Sequence, residues 1–215
     1  LPIIFNFYLD FIRFFASWNC LDEGNVLKLI LSPFDKQSLK NIDRKNYKII
    51  EGDLCNLKNE KNLKQLNYDQ KIASKKILQS INELTSKSFL LDGVAGSGKT
   101  ETYFEAVKEC IKNDKQVLIL LPEIGLTPQL IQRFKNRFKV DIAIQHSNLS
   151  DIQRIKYWQD ARTGKAKIIL GTRSAIWAQL LHPGIYIADE EHDLSYKQHS
   201  GFQYSARDIM IVRAK

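Results

Sequence analysis

From about residue 69 onward, apolar positions alternate between two rhythms. Compact apolar runs fall at residues 88–91, 116–121, 167–170 and 184–189, and an alternating run carries Val140, Ile142 and Ile144. Short runs of this kind, bounded by turn residues, predict strands, and continuous ones suit a sheet buried on both faces. Between them apolar residues recur at helical spacing: Ile72, Ile77 and Ile81; Tyr103 or Phe104, Val107 and Ile111; Leu130, Ile131, Phe134 and Phe138; and Ile152, Ile155 and Trp158. A short helix is expected over 174–181. Boundary signals agree with this division. Pro122 closes a strand, Thr127 with Pro128 caps and opens a helix, and Ser150 with Gln153 makes a capping box for a helix that ends near Gly164. Strand and helix in alternation predict right-handed crossovers, an α/β fold with a mostly parallel sheet, and ligand binding beyond the strand carboxyl ends.

Residues 1–57 read differently. Their opening helix carries Phe7, Phe11, Phe14, Phe15 and Trp18 at three- and four-residue spacing, expected to face a core. A second short helix is expected over 24–31 and a short strand over 47–50. Between residues 57 and 76 six lysines stand against Glu60 and Asp69, the composition of a linker entering a new helix. The division expected is therefore an accessory unit over 1–57, a linker over 58–68 and an α/β unit over 69–215. The chain starts at Leu1 rather than Met and stops inside a helix expected over 209–215, so it reads as a fragment of a longer protein.

With 44% hydrophobic residues in 215, the chain can bury a sizeable core, and its net charge of +8 favours an anionic partner without specifying one. Cys20, Cys55 and Cys110 have no paired spacing that would suggest zinc or a redox centre, so reduced thiols and a cytoplasmic setting are expected. Residues 1–18 are interrupted by Asn6, Asp10 and Arg13 and are too polar to span a bilayer; no membrane partner is expected.

The chemistry concentrates after the first apolar run. Gly93-Val94-Ala95-Gly96-Ser97-Gly98-Lys99-Thr100 satisfies the phosphate-loop pattern, with a strand expected before it and a helix after it. Glycines let successive backbone N–H groups turn inward onto phosphate oxygens, Lys99 neutralises the β and γ phosphates, and Thr100 offers its hydroxyl to magnesium. ATP and Mg2+ are the cofactors expected. Gln70, upstream, either pairs with the adenine edge or is a solvated glutamine at a helix start.

A second constellation closes the last strand: Asp189, Glu190, Glu191 and His192 follow an apolar run, about 90 residues after Lys99. A carboxylate at such a strand end serves the magnesium held by the loop threonine, the role assigned to Asp189. Glu190 is the candidate general base, and His192 a relay toward the rest of the protein. The alternative is an acidic turn capping the next helix. Residues 122–128, His146 with Ser147, and residues 171–175, which include Arg173 and Ser174, also fall at strand carboxyl ends and suit phosphate-backbone contact, or else are ordinary caps and turns. Finally, residues 193–208 interleave Tyr196, Phe202 and Tyr204 with Lys197 and Arg207. That mixture suits stacking on unpaired bases beside neutralised phosphates, or else aromatics that fill gaps in the core.

Together these residues resemble the bacterial replication-restart helicases of superfamily 2, the primosomal protein N′ family. The resemblance is dense over residues 66–215, through Gln70, the loop with Glu101, residues 122–129, His146 with Ser147, residues 171–175, Asp189 to Asp193, residues 195–198, Tyr204 and residues 206–208. It is much weaker over the first unit, where the aromatic helix and residues 24–27 are similar to part of a winged-helix region. What it implies is a RecA-like first motor lobe of a DNA-dependent ATPase moving 3′ to 5′, acting on single-stranded or forked DNA with primosome proteins and single-stranded-DNA-binding protein as partners. It also implies that residues 196–204 couple DNA contact to hydrolysis. Ala95 departs from the threonine associated with the family, a change that backbone cradling tolerates. The family's amino-terminal DNA-binding domain, zinc-binding cysteines, second lobe with its arginine finger and carboxy-terminal domain have no counterpart in these residues. Zinc is thus expected only in that other part, and unwinding is not expected of this chain alone. Two further readings stay open: the motor lobe of a restriction or branch-migration translocase, and a DNA-binding paralogue that does not hydrolyse ATP.

Overall fold

The computed structural model describes residues 4–31, 34, 65–94, 96–199 and 201–215. The strand expected over 47–50, most of the linker, Cys55 and Ala95 lie outside the described residues. Two helices open the chain, α1 (Asn6–Trp18) and α2 (Glu23–Ile30). Then follow α3 (Tyr68–Asn82), α4 (Lys99–Lys112), β1 (Gln116–Leu120), α5 (Pro128–Phe138), β2 (Ile142–Gln145), α6 (Asp151–Arg162), β3 (Ile168–Gly171), β4 (Pro183–Ala188), a small pair β5 (Lys197–Gln198) and β6 (Tyr204–Ser205), and α7 (Ala206–Ala214).

Four strands form a parallel sheet in the order β2-β3-β1-β4. Central β1 is buried along its whole length, so its side chains feed two separate cores by simple alternation. Val117, Ile119 and Leu121 point to one face, where they meet Ile168 and Leu170 of β3, Tyr103, Phe104 and Val107 of α4, and Phe134 of α5. Leu118 and Leu120 point to the other, where they join Ile169, Trp177, Met210 and, from the first two helices, Tyr8, Ile12, Phe15, Val26 and Ile30. The fold is therefore α/β and RecA-like, a parallel sheet with helices on both faces. Among the described residues α1 and α2 share the core of the sheet rather than enclosing one of their own; the Tyr8 hydroxyl donates to the Trp177 carbonyl at 2.6 Å.

The predicted caps form. Thr127 Oγ1 accepts from the Leu130 N–H, Pro128 takes the first turn of α5, and Ser150 with Gln153 forms a reciprocal box at the start of α6. Four expectations change. No strand forms over 88–91: β4 is an edge of the sheet among the described residues, residues 88–91 do not pair with it, and Leu90 stays 74% exposed. The aromatic spacing of α1 does not define its buried face. Tyr8, Ile12, Phe15 and Ala16 are buried, whereas Phe7, Phe14 and Trp18 are exposed, because the helix inserts its tyrosine and isoleucine toward Trp177 and the sheet. Ile72 and Ile152, counted as core, are exposed at helix surfaces. The helix expected over 174–181 is a 3-10 turn over Arg173–Trp177, and the chain then straightens at Ala178 to place Leu180 in the core.

Candidate nucleotide site

The phosphate loop draws its shape from two glycines. Gly96 and Gly98 have φ angles of +78° and +83°, left-handed values that cost a side chain strain. Gly98 is also the N-cap of α4 and supplies no capping side chain, so the first N–H groups of that helix remain available to an anion. The Lys99 ammonium folds back onto the loop, donating to the Gly93 carbonyl at 2.7 Å and toward that of Val94 at 3.4 Å.

A cavity of about 440 Å³ opens beside the loop. Residues 96–101 line one wall, residues 65–67 with Gln70 at the start of α3 a second, and Asp189, Glu190 and Arg133 the remainder. Gln70, Gly96, Ser97, Gly98, Lys99, Thr100, Asp189 and Glu190, separated by up to 120 positions in the chain, thus share one cavity. Gln70 is doubly held: its Oε1 accepts from the Asn67 N–H at 2.9 Å in a capping box, and its Nε2 donates to the Ser97 carbonyl at 2.7 Å. It is a clasp between α3 and the loop, and contact with an adenine edge requires it to release one of these partners.

Asp189 follows β4 directly, its N–H donating to the Leu120 carbonyl. Both carboxylate oxygens are engaged, Oδ1 by the Glu190 N–H at 3.1 Å and Oδ2 by the Tyr103 hydroxyl at 3.0 Å. Burial, reinforced by the Asp189 charge, pushes the Tyr103 hydroxyl well above its ordinary pKa, so it remains a donor at neutral pH. Glu190 adopts a left-handed φ of +49°, and its carboxylate lies 3.7 Å from His192 Nδ1. For a residue other than glycine that backbone is uncommon, and such outliers recur at functional sites. The donor chemistry fits magnesium. One carboxylate and one hydroxyl are hard oxygen ligands of the kind that holds magnesium together with phosphates and water.

The residues expected at DNA are placed differently. Arg173 turns inward, its Nη1 donating to the Ser195 and Lys197 carbonyls at 3.1 and 3.0 Å. Ser174 is half-buried at the start of the 3-10 turn, and Arg207 pairs with Glu191 at 2.8 Å. Tyr196 is 1% exposed and Tyr204 8%. The Tyr196 hydroxyl reaches the Asp189 and Leu120 carbonyls, and Tyr204 packs edge-on against Trp177 at 5.3 Å. In this conformation both rings are covered by protein, the arrangement of the alternative in which the aromatics fill gaps in the core. Phe202 is half-buried against Phe15 and Tyr204, while Lys197 and His192 stand exposed. Sequence reasoning missed Tyr103 as a polar participant, since its helical spacing marked it only as core. It also missed Arg133, which is fixed by Glu101 at 2.5 Å over the Phe104 ring; no local pattern carries that contact.

No helix among the described residues is long and apolar enough to cross a membrane. Over residues 63–212 the chain matches the family described as type III restriction enzyme, res subunit. It is 50% identical to the replication restart protein PriA of Haemophilus influenzae, over 70% of this chain and 23% of that protein. The PriA proteins of Bacillus subtilis and Rickettsia prowazekii are 39% and 37% identical, over 70% and 96% of this chain but only 19% and 30% of their own lengths. The chain thus spans under a third of the relatives it matches. It belongs to the family of type III restriction enzyme res subunits, with replication restart proteins PriA among its relatives.

Proposed function

We propose that this chain is the ATP-binding and hydrolysing lobe of a DNA helicase that acts in replication restart and primosome assembly, translocating 3′ to 5′. The observation that carries the reading is the convergence of the phosphate loop and the Asp189 strand end on one cavity. The identity to replication restart proteins supports the biological assignment.

In this reading the N–H groups of residues 96–100 and the Lys99 ammonium bind the triphosphate, and Lys99 exchanges its loop carbonyls for phosphate oxygens. Gln70 contacts adenine after releasing a present partner. Thr100 and Asp189 hold magnesium, which supplies charge neutralisation across the β and γ phosphates. Glu190 takes the proton of the attacking water. Single-stranded or forked DNA is the polymer partner, with primosome proteins and single-stranded-DNA-binding protein as further partners in a cytoplasmic setting. The segment with Tyr196 acts as a coupling element through its bond to the Asp189 carbonyl, Phe202 and Tyr204 bracing it. Lys197, Ser174, His192 and Arg207 are the candidates for DNA contact or relay, with Arg173 bracing the Ser195 and Lys197 segment from within.

The test uses a chain extended through a second motor lobe. ATP hydrolysis is expected to rise with single-stranded or forked DNA and to be lost in Lys99→Ala. Equal rates with and without DNA overturn the motor reading. The res-subunit family match favours a second reading, a restriction-type translocase. Stimulation by unbroken duplex in preference to forks selects that one.

A further inference from the structure

We propose that Tyr103 is a positioning residue for the magnesium side of the nucleotide site, holding the Asp189 carboxylate in the orientation in which it receives the ion. The inference rests on the nucleotide-site reading above and extends it to a side chain that no motif singles out. Three observations carry it. Tyr103 is one helical turn beyond Thr100 on α4, so its side chain and the threonine hydroxyl leave the same end of the helix. Its ring is 4% exposed, wedged edge-on against Phe104 at 5.5 Å, and has little freedom to swing. Its hydroxyl donates to Asp189 Oδ2 at 3.0 Å across 86 positions of sequence, joining α4 to the residue that follows β4.

The geometry defines a division of labour on the carboxylate. The Glu190 N–H holds Oδ1 and the Tyr103 hydroxyl holds Oδ2, so the plane of the group is set from two sides before any ion arrives. Each carboxylate oxygen has two acceptor directions, and one hydrogen bond to each leaves the others for an ion or its bound water. Partners that orient a metal ligand in this way typically contribute about 10–100-fold in metal affinity. Packing of the ring against Phe104 does not require the hydroxyl, so its bond to Asp189 is a role that the ring does not explain.

The test titrates Mg2+ into the 215-residue chain with the fluorescent analogue mant-ATP, comparing the unsubstituted chain with Tyr103→Phe, which keeps the ring. Tyr103→Phe is expected to bind mant-ATP in EDTA as the unsubstituted chain does, and to need about tenfold more Mg2+ for its half-maximal magnesium-dependent gain. A superimposable Mg2+ titration overturns the proposal, as does an equal loss with and without Mg2+, which marks a packing role. If the unsubstituted chain binds no mant-ATP and is indistinguishable from Lys99→Ala, the nucleotide reading itself fails and this inference falls with it.

Discussion

The hydroxyl of Tyr196 lies 2.5 Å from the backbone carbonyl of Asp189, and 3.0 Å from that of Leu120. A residue from the aromatic segment is therefore bonded to the end of β1 and to Asp189, which lines the nucleotide cavity. Tyr196→Phe keeps the ring and removes this tie. It is expected to cost about 1–3 kcal/mol, because the Asp189 carbonyl loses a buried partner. In the two-lobed chain, DNA stimulation of hydrolysis is expected to fall while mant-ATP binding persists. Urea unfolding and DNA-stimulated turnover check the two parts, and an unchanged unfolding midpoint would show that the hydroxyl holds nothing.

Gly171 ends β3 where the sheet meets the 3-10 turn. A Cβ there would lie 2.4 Å from both Ala175 Cβ and the Gln145 carbonyl oxygen, neither of which is a flexible tip. Gly171→Ala should destabilise by about 1–3 kcal/mol through overpacking. It should also shift Arg173, whose bonds to Ser195 and Lys197 begin two residues on. Thermal unfolding reads the first effect, and limited proteolysis at residues 193–203 the second.

Gln116 is fully buried, yet every polar atom of its side chain is used. Its Nε2 donates to the Ala161 and Ala166 carbonyls at 2.7 Å each, and its Oε1 accepts from the Leu181 and His182 N–H groups at 2.7 and 3.1 Å. Gln116→Leu keeps the size and orphans four backbone groups. A loss of more than ~2 kcal/mol is expected, measurable by denaturant unfolding, in contrast to the smaller loss of a Leu-for-Met exchange in a core.

Alkali should weaken the fold. Burial pushes the Cys110 thiol from 9.0 up to about 12 and the Tyr8 hydroxyl from 10.0 to about 12, and it raises Tyr204 as well. Below pH 9 these groups are protonated in both states and their contribution is complete. Above it the unfolded chain ionises first while the folded chain keeps its protons, so stability falls as pH rises toward 12. Urea midpoints at pH 8, 9.5 and 10.5 should decline in order, and Cys110→Ala should flatten the first part of that decline. A flat profile across this range would contradict the assignment.

Much of this is legible in the residues themselves. The strands at 116–121, 140–144, 167–170 and 184–189, the caps of α5 and α6, and the phosphate loop each follow from local chemistry: alternation, hydroxyl caps and glycine at positive φ. The rest has a different cause. Residues 88–91 have strand-forming side chains but do not pair with the open edge of β4, because a side-chain pattern alone does not decide which backbones pair. The α1 stripe has the right period, but Trp177 and the sheet decide which face is covered. Tyr196 and Tyr204 have a composition suited to bases, and the same surface that stacks on a base also packs into a core.

The sequence by itself determined that a triphosphate-binding loop and an acidic strand end occur in one α/β chain, because glycine torsions, capping hydroxyls and apolar runs act within a few residues. Only the tertiary structure decided that Gln70 clasps the loop, that Tyr103 holds Asp189, and that Tyr196 ties the aromatic segment to the strand ends. Those contacts join residues 27, 86 and 7 positions apart, and only the fold sets which hydroxyl or amide arrives at which oxygen.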